Sequence, residues 1–331
     1  MTTTTTSRFC SVCARQAGLS PAGYGGAAYE IFIAAELPLP WPRLMFGDSA
    51  RMPPEILAVM QHIREEYERD HTLRIRPLGI APAPDYSVAG MRRVIGWHRP
   101  TGPLAQFNRS EYLAPEEQLG PLVYALALAP ERLDAFATHG SVDAACSKFG
   151  YPAYAQLRRI AADSGGALRA WRTTHFGVHV FAPTLIDMPH GSYWAYIEPE
   201  RLEWLVSRTG DITRLPQHYR GWAGLPAPFL QVLERELFVR HGWTWLQYAK
   251  SGRILAQDET AQPDEHGHAE PAWAEVQIDY HAPDGTSGAV TARVELTTRL
   301  EVIHTSGEAE TYPYPQYAVA WLREKLHESE Q

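Results

Sequence analysis

The order of predicted elements in the middle of the chain limits its possible folds more than any other feature. A strand-like run is followed by a helix that Ser141 can cap, by three more strand-like runs and by a second helix that begins with proline in its first turn. These elements are predicted at residues 135–138, 141–162, 167–174, 180–188, 193–197 and from 198 onward. The order strand, helix, strand, strand, strand, helix is the thioredoxin layout. We therefore predict an α/β (α+β) protein with a thioredoxin-like domain at residues 121–220.

Other elements are predicted on both sides of this domain. Residues 1–8 are expected to be a disordered lead-in, and residues 9–120 an α/β unit. In that unit, apolar runs and an amphipathic pattern predict a strand at 29–36, a helix at 53–70 and strands at 73–80 and 91–98. Residues 221–331 are predicted to form a C-terminal extension of a helix and an antiparallel sheet. Its predicted elements are a helix at 229–241, strands at 272–280, 289–297 and 300–304, and a closing helix at 316–327.

Composition argues against several classes of protein. The formal net charge is −8, and no dense Lys/Arg patch is present, so we expect no nucleic-acid partner. No stretch approaches the roughly 18 apolar residues that span a bilayer, so no membrane role is expected. Three cysteines in 331 residues do not make a disulfide framework, and free thiols are typical of a reducing compartment. The expected location is therefore cytoplasmic.

A pair of histidines is the strongest chemical signal. His175 and His179 are separated by Phe-Gly-Val, and Gly177 places the pair on a loop that enters a strand. Imidazole together with thiolate binds borderline metals and iron–sulfur clusters. Cys146 lies near the start of a predicted helix, where the helix dipole stabilises a thiolate. The residues alone leave an alternative open, in which one histidine packs in the core and Cys146 is a small buried apolar residue.

The two other cysteines form a C-x-x-C motif near the start of the chain. Cys10 and Cys13 are separated by Ser-Val, and no predicted strand precedes them. This pattern is compatible with a redox pair, with half of a zinc site or with no special role.

The chain resembles the sucrase/ferredoxin-like family. The motifs that carry the resemblance are Ala137-Thr138-His139-Gly140-Ser141-Val142-Asp143, Ala145-Cys146-Ser147-Lys148-Phe149-Gly150, His175-Phe176-Gly177-Val178-His179, Phe181-Ala182-Pro183-Thr184 and Tyr219-Arg220-Gly221-Trp222-Ala223-Gly224-Leu225. Phe9-Cys10-Ser11 near the start also fits. The resemblance implies a thioredoxin-like [2Fe–2S] ferredoxin domain that transfers electrons to a redox protein partner. It also implies a cis peptide bond before Pro183.

The same resemblance implies that two cysteines and two histidines hold the cluster. The second cysteine corresponds to Cys146 and the histidines to His175 and His179, whereas the first cysteine corresponds to Ala137, which has no donor atom. Three outcomes follow. Cys10 or Cys13 supplies the fourth ligand, which we favour; or Cys146, His175 and His179 hold a single metal ion with a water; or the domain is a scaffold or binding module without a cluster.

Glycoside hydrolysis, which the family name suggests, is not expected. It requires two carboxyl groups roughly 5 to 10 Å apart across a sugar, and the sequence indicates no such pair. We expect a non-catalytic electron carrier rather than an enzyme.

Overall fold

The structure is a computed structural model that describes residues 9–41, 52–70, 73–99, 106–128, 144–262 and 269–327. It is a mixed α+β protein, as the sequence predicts, and the described residues form three β-sheets. The predicted lead-in at 1–8 and the predicted strand at 135–138 lie outside the described residues. Among the described helices, none combines the length and the apolar composition that a transmembrane span requires.

The first sheet has four strands in the order β2-β1-β3-β4, in which β1 and β2 are parallel and the other pairs antiparallel. Its strands are β1 (Ile31–Glu36), β2 (Ile75–Ile80), β3 (Met91–His98) and β4 (Asn108–Pro115). Two helices, α2 (Pro54–Asp70) and α3 (Leu119–Leu128), pack on one face through a cluster that includes Ile33, Val59 and Val123. The strands and the helix predicted for this unit are confirmed, and β3 has the predicted bounds.

The order strand, helix, strand, strand, strand, helix, which the sequence analysis predicts for the middle of the chain, is also found in residues 31–128. The strand predicted at 167–174 is wrong. In this segment only Thr173 forms a bridge, to Ile80 at the end of β2. The apolar alternation that suggested a strand is not reflected in burial, since the consecutive residues Ala170 and Trp171 are both buried, and the segment gains no strand pairing beyond that bridge.

The middle of the chain surrounds a three-stranded antiparallel sheet in the order β5-β6-β7. Its elements are α4 (Ala144–Asp163), β5 (Leu185–Asp187), β6 (Ser192–Trp194), α5 (Leu202–Ser207) and β7 (Tyr219–Trp222). The predicted hairpin is confirmed, with strands shorter than predicted, and β7 was not predicted. The peptide bond before Pro183 is cis, as the resemblance implied.

The C-terminal sheet is antiparallel in the order β11-β10-β9-β8 and is covered by α6 (Pro228–His241). Its strands are β8 (Ala249–Gln257), β9 (Trp273–His281), β10 (Ser287–Ile303) and β11 (Thr311–Leu326). The predicted antiparallel sheet and the helix at 229–241 are confirmed, the strands predicted separately at 289–297 and 300–304 are one strand, β10, and β8 was not predicted. One large apolar core contains residues from all three sheets, so the C-terminal region is packed into the same body as the rest.

The closing helix predicted at 316–327 is wrong, because these residues form most of β11. A β-bulge explains the error. Arg293 pairs with Trp321 but Val294 pairs with Val319, so Ala320 is an extra residue in β11. The bulge lets Val319 and Leu322, three residues apart, pack against the same core, which imitates helical spacing.

Candidate metal centre

A tight turn holds the two predicted histidines next to each other. Thr174 fastens the start of this segment to β2: its N–H donates to the Gly79 carbonyl at 2.8 Å, and its Oγ1 accepts from the Gly79 N–H at 2.9 Å. Gly177 has φ of +106° and Val178 has φ of 54°, so the chain reverses in left-handed backbone. The ring centroids of His175 and His179 are 6.1 Å apart, and both rings are half-buried.

The N-terminal segment folds over this turn and brings Cys10 to it. Cys10 is the first residue of α1 (Cys10–Gln16), is fully buried, and has its Sγ 3.5 Å from His179 Nδ1. Two ligands of one tetrahedral metal, with bonds of about 2.3 Å to sulfur and about 2.1 Å to nitrogen, lie about 3.6 Å apart. The thiol and the imidazole therefore have the separation of two ligands of a common metal.

Cys13 lies one turn further along α1 and is half-buried. It packs against the same apolar cluster as Cys10. Of the two cysteines that the sequence offers as the fourth ligand, Cys10 is the one whose sulfur meets an imidazole.

The remaining predicted donor belongs to α4. Cys146 is the third residue of this helix, which confirms its predicted position near a helix start. Its side chain, like the whole of Ala137, lies outside the described part of the structure. The same helix approaches the N-terminal segment, because the Phe149 and Phe9 rings pack edge to face at 5.3 Å and Lys148 Nζ lies 4.2 Å from the Phe9 centroid.

Three residues of the C-terminal hairpin join the site, and sequence reasoning missed them. Ser306 Oγ accepts from the Cys10 N–H at 3.1 Å and lies 3.3 Å from its Sγ, to which it donates. The His304 ring is 4.7 Å from that of His179, and His304 Nδ1 is 2.7 Å from the Tyr314 hydroxyl. No local signal could have identified these residues, since Cys10 and Ser306 are 296 positions apart.

Two arginines lie behind the turn and set its electrostatics. Arg76 donates to the His175 carbonyl at 3.0 Å, and Arg220 donates to the Gly177 carbonyl at 3.4 Å. Burial lowers the pKa of His175 to about 4, and the charges of Arg76 and Arg220 act in the same direction. His175 is therefore neutral at physiological pH, which is the form that binds metals.

A cleft of about 550 Å³ lies beside the site. Ser11 and Val12 of α1 line it, together with Ala182 and Pro183 that follow the histidine turn. The opening gives a second molecule access to the two segments that carry Cys10 and His179.

The described side chains provide some, but not all, of the donors that a metal site needs. Within the described ranges, no three His, Cys, Asp or Glu side chains form a complete metal-binding group. Cys10 and His179 are in contact and the ring of His175 is adjacent, so the described residues bring together two of the predicted donors and place the third beside them.

Comparison with known proteins identifies one similarity. A family model described as sucrase/ferredoxin-like matches residues 52–221, just over half of the chain. Cys146, His175 and His179 fall within the matched region, whereas Cys10 and Ser306 fall outside it. Searches of curated proteins and of solved structures found no match.

Proposed function

This chain belongs to the sucrase/ferredoxin-like family, and we propose that it transfers electrons through a [2Fe–2S] cluster held by Cys10, Cys146, His175 and His179. The observation that carries the proposal is the 3.5 Å separation of Cys10 Sγ and His179 Nδ1. It supports Cys10 as a thiolate donor at the same metal atom as His179, which would make up the number of thiolates that Ala137 leaves short.

Cys10 suits this replacement in burial and surroundings. A fully buried thiol beside an imidazole and a serine hydroxyl is protected from solvent while its sulfur has polar neighbours. Hydrogen bonds to a ligating sulfur stabilise its thiolate form and raise the reduction potential of a cluster. Ser306 supplies such a bond.

The bound cluster would supply one-electron redox chemistry, and the chain controls its surroundings. The apolar cluster around Cys10 includes Val180, Phe181 and Tyr314, and it keeps water from one side of the site. The half-buried rings of His175 and His179 leave the other side open to a redox protein partner. No catalytic group is needed for this role.

A second candidate function is a scaffold or binding module without a cluster, or with a single metal ion. It is favoured by Ala137 and by the lack of a complete three-donor group among the described side chains. In that case Cys10 and His179 would form only a buried polar contact.

Anaerobic purification and cluster reconstitution distinguish the two candidates. Iron, sulfide and visible absorption are measured for the wild type, Cys10→Ala, Cys146→Ala and the matched control Cys13→Ala. We expect about two irons per chain in the wild type and in Cys13→Ala, and loss of the cluster in the other two. A colourless wild type, or a Cys10→Ala protein that keeps its cluster, contradicts the proposal.

A further inference from the structure

A second cleft, of about 460 Å³, opens between the C-terminal end of α6 and the C-terminal sheet. Three residues with rings and three with side-chain oxygens line it: His241, Tyr248, Tyr280, Asp284, Thr286 and Glu324. None of them belongs to the candidate metal centre. The volume is that of a site for a small organic molecule.

Neutral aromatic rings form one wall of this cleft. The His241 ring stacks on that of Trp245 at 5.1 Å and lies 5.5 Å from that of Tyr248. The Tyr280 ring is 5.6 Å from both His241 and Tyr248. Burial lowers the pKa of His241, so its imidazole is neutral at physiological pH.

A glycine lets this aromatic wall reach a carboxylate across a strand. Gly288 of β10 pairs with Tyr280 of β9, and a Cβ at Gly288 would lie 2.8 Å from the Tyr280 hydroxyl oxygen. The phenol therefore passes over β10, where its hydroxyl donates to Glu324 Oε1 of β11 at 2.6 Å. Burial and this bond hold the pKa of Tyr280 far above its usual range, so the phenol stays protonated and fixes the position of the carboxylate.

The two carboxylates give the cleft an excess of negative charge. The Oε1 atom of Glu324 is 3.6 Å from His241 Nε2, but that imidazole is neutral and does not balance the charge. The Thr286 N–H donates to Asp284 at 2.9 Å and holds the pKa of Asp284 below its usual range, so this side chain is ionised. Among the described residues that line the cleft there is no lysine or arginine.

The basic residues nearby do not neutralise this charge. Lys250 pairs with Tyr280 in the sheet, but its ammonium group is buried and bound to Glu234 at 3.2 Å. Arg240 precedes His241 in α6 and is exposed, so solvent screens it. Within the described ranges, no three His, Cys, Asp or Glu side chains form a group that could hold a metal ion, so the charge favours an organic cation over a metal.

We propose that this cleft binds a small organic cation of the quaternary ammonium class, with its charge near Glu324 and Asp284 and its methyl groups against Tyr248 and Tyr280. The electron-rich faces of aromatic rings attract such a cation. A quaternary ammonium has no N–H to donate and spreads its charge over methyl groups, which suits a wall of rings. The proposal does not rest on electron transfer, because the cleft shares no residue with the histidine turn.

Calorimetric titration with two ligands of one shape tests the class of ligand. Choline is the probe, and 3,3-dimethyl-1-butanol is its uncharged analogue, in which carbon replaces the ammonium nitrogen. At low ionic strength we expect choline to bind with a Kd below about 1 mM, and the alcohol at least about tenfold more weakly.

Three variants test the place of binding. Glu324→Gln removes a charge and keeps an acceptor for the Tyr280 hydroxyl, and we expect it to weaken choline binding about tenfold. Tyr248→Leu removes one ring and should weaken binding about fivefold. The matched control is Glu301→Gln, an exposed carboxylate of β10 outside the cleft, which should bind choline as the wild type does.

Four results would overturn the proposal. They are no binding of choline at concentrations up to about 10 mM, equal affinity for choline and the alcohol, wild-type affinity in Glu324→Gln, and an equal loss in Glu301→Gln, which would make the effect one of overall charge. Urea unfolding of each variant shows whether it is folded. If Tyr248→Leu does not fold, the comparison of Glu324→Gln with Glu301→Gln still decides.

Discussion

Replacing Lys250 with methionine should strongly destabilise the whole protein. Lys250 and Glu234 are 2% and 0% exposed and form an ion pair at 3.2 Å. The pair connects α6 to β8, at the junction of the middle and C-terminal sheets. Methionine matches much of the apolar stem of lysine but leaves the Glu234 carboxylate buried without a cation.

The size of the effect follows from the partners that Glu234 keeps. Removing one member of a buried pair costs about 3 to 5 kcal/mol. The carboxylate retains three donors: the Tyr219 hydroxyl at 2.9 Å, the Trp222 N–H at 2.8 Å and the Trp245 indole at 3.3 Å. We therefore expect a loss near the lower limit, about 3 kcal/mol in the free energy of unfolding.

Urea unfolding followed by tryptophan fluorescence measures this loss. The matched control is Lys325→Met, an exposed lysine of β11, for which a change within about 0.5 kcal/mol is expected. The double variant Glu234→Gln/Lys250→Met removes both charges and keeps an acceptor, so it should recover more than about half of the loss. A loss below about 1 kcal/mol in Lys250→Met, or a double variant less stable than the single one, would refute the reasoning.

Two further predictions concern acid stability and the histidine turn. Burial lowers the pKa of His218 to about 4, below its value in the unfolded chain. Its neutral form therefore contributes fully to the free energy of unfolding above about pH 6.5, and this contribution, up to about 3 kcal/mol, is lost as pH falls toward 4. In metal-free protein His218→Asn should remove the His218 part of the pH dependence in urea unfolding and leave a remainder, because burial also lowers the pKa of His175, His190 and His241; an unchanged slope argues against it. Gly177→Ala places a side chain at φ of +106°, which should lower the free energy of unfolding by about 1 to 2 kcal/mol and weaken Co²⁺ binding at the histidines. Wild-type Co²⁺ affinity in this variant would show that the turn does not set the spacing of the histidines.

The sequence predicted an element correctly where an apolar run directly follows a segment rich in turn-forming residues. Residues 91–98 are an apolar run after a turn-rich segment, and the structure forms β3 at those residues. The prediction failed where strand pairing changes the spacing of the side chains that face the core. In β11 the bulge at Ala320 leaves Val319 and Leu322 three residues apart, which is the spacing of a helix. Bulges depend on the partner strand, so a local pattern does not reveal them.

The candidate site, too, was predicted where the signal is local in sequence and missed where it depends on contacts between distant segments. The spacing of His175 and His179 and the glycine between them are local signals, and they correctly predicted a loop, although it leads into a 3-10 helix at His179–Phe181 rather than directly into a strand. Cys10 was proposed as a donor only because the chain has three thiols. Its contact with His179 spans 169 positions and depends on the packing of α1 against the histidine turn. His304 and Ser306 gave no signal, because their role depends on where the β10–β11 hairpin ends.

The most direct test of the central claim restores a cysteine at position 137. Cluster content is measured after anaerobic reconstitution in Cys10→Ala, in Ala137→Cys and in Cys10→Ala/Ala137→Cys, beside the wild type. If Cys10 replaces the missing thiolate, the single variant loses the cluster and the added cysteine restores about two irons per chain. A wild type without iron, together with a cluster in Ala137→Cys alone, would contradict the account and show that Cys10 is not a ligand.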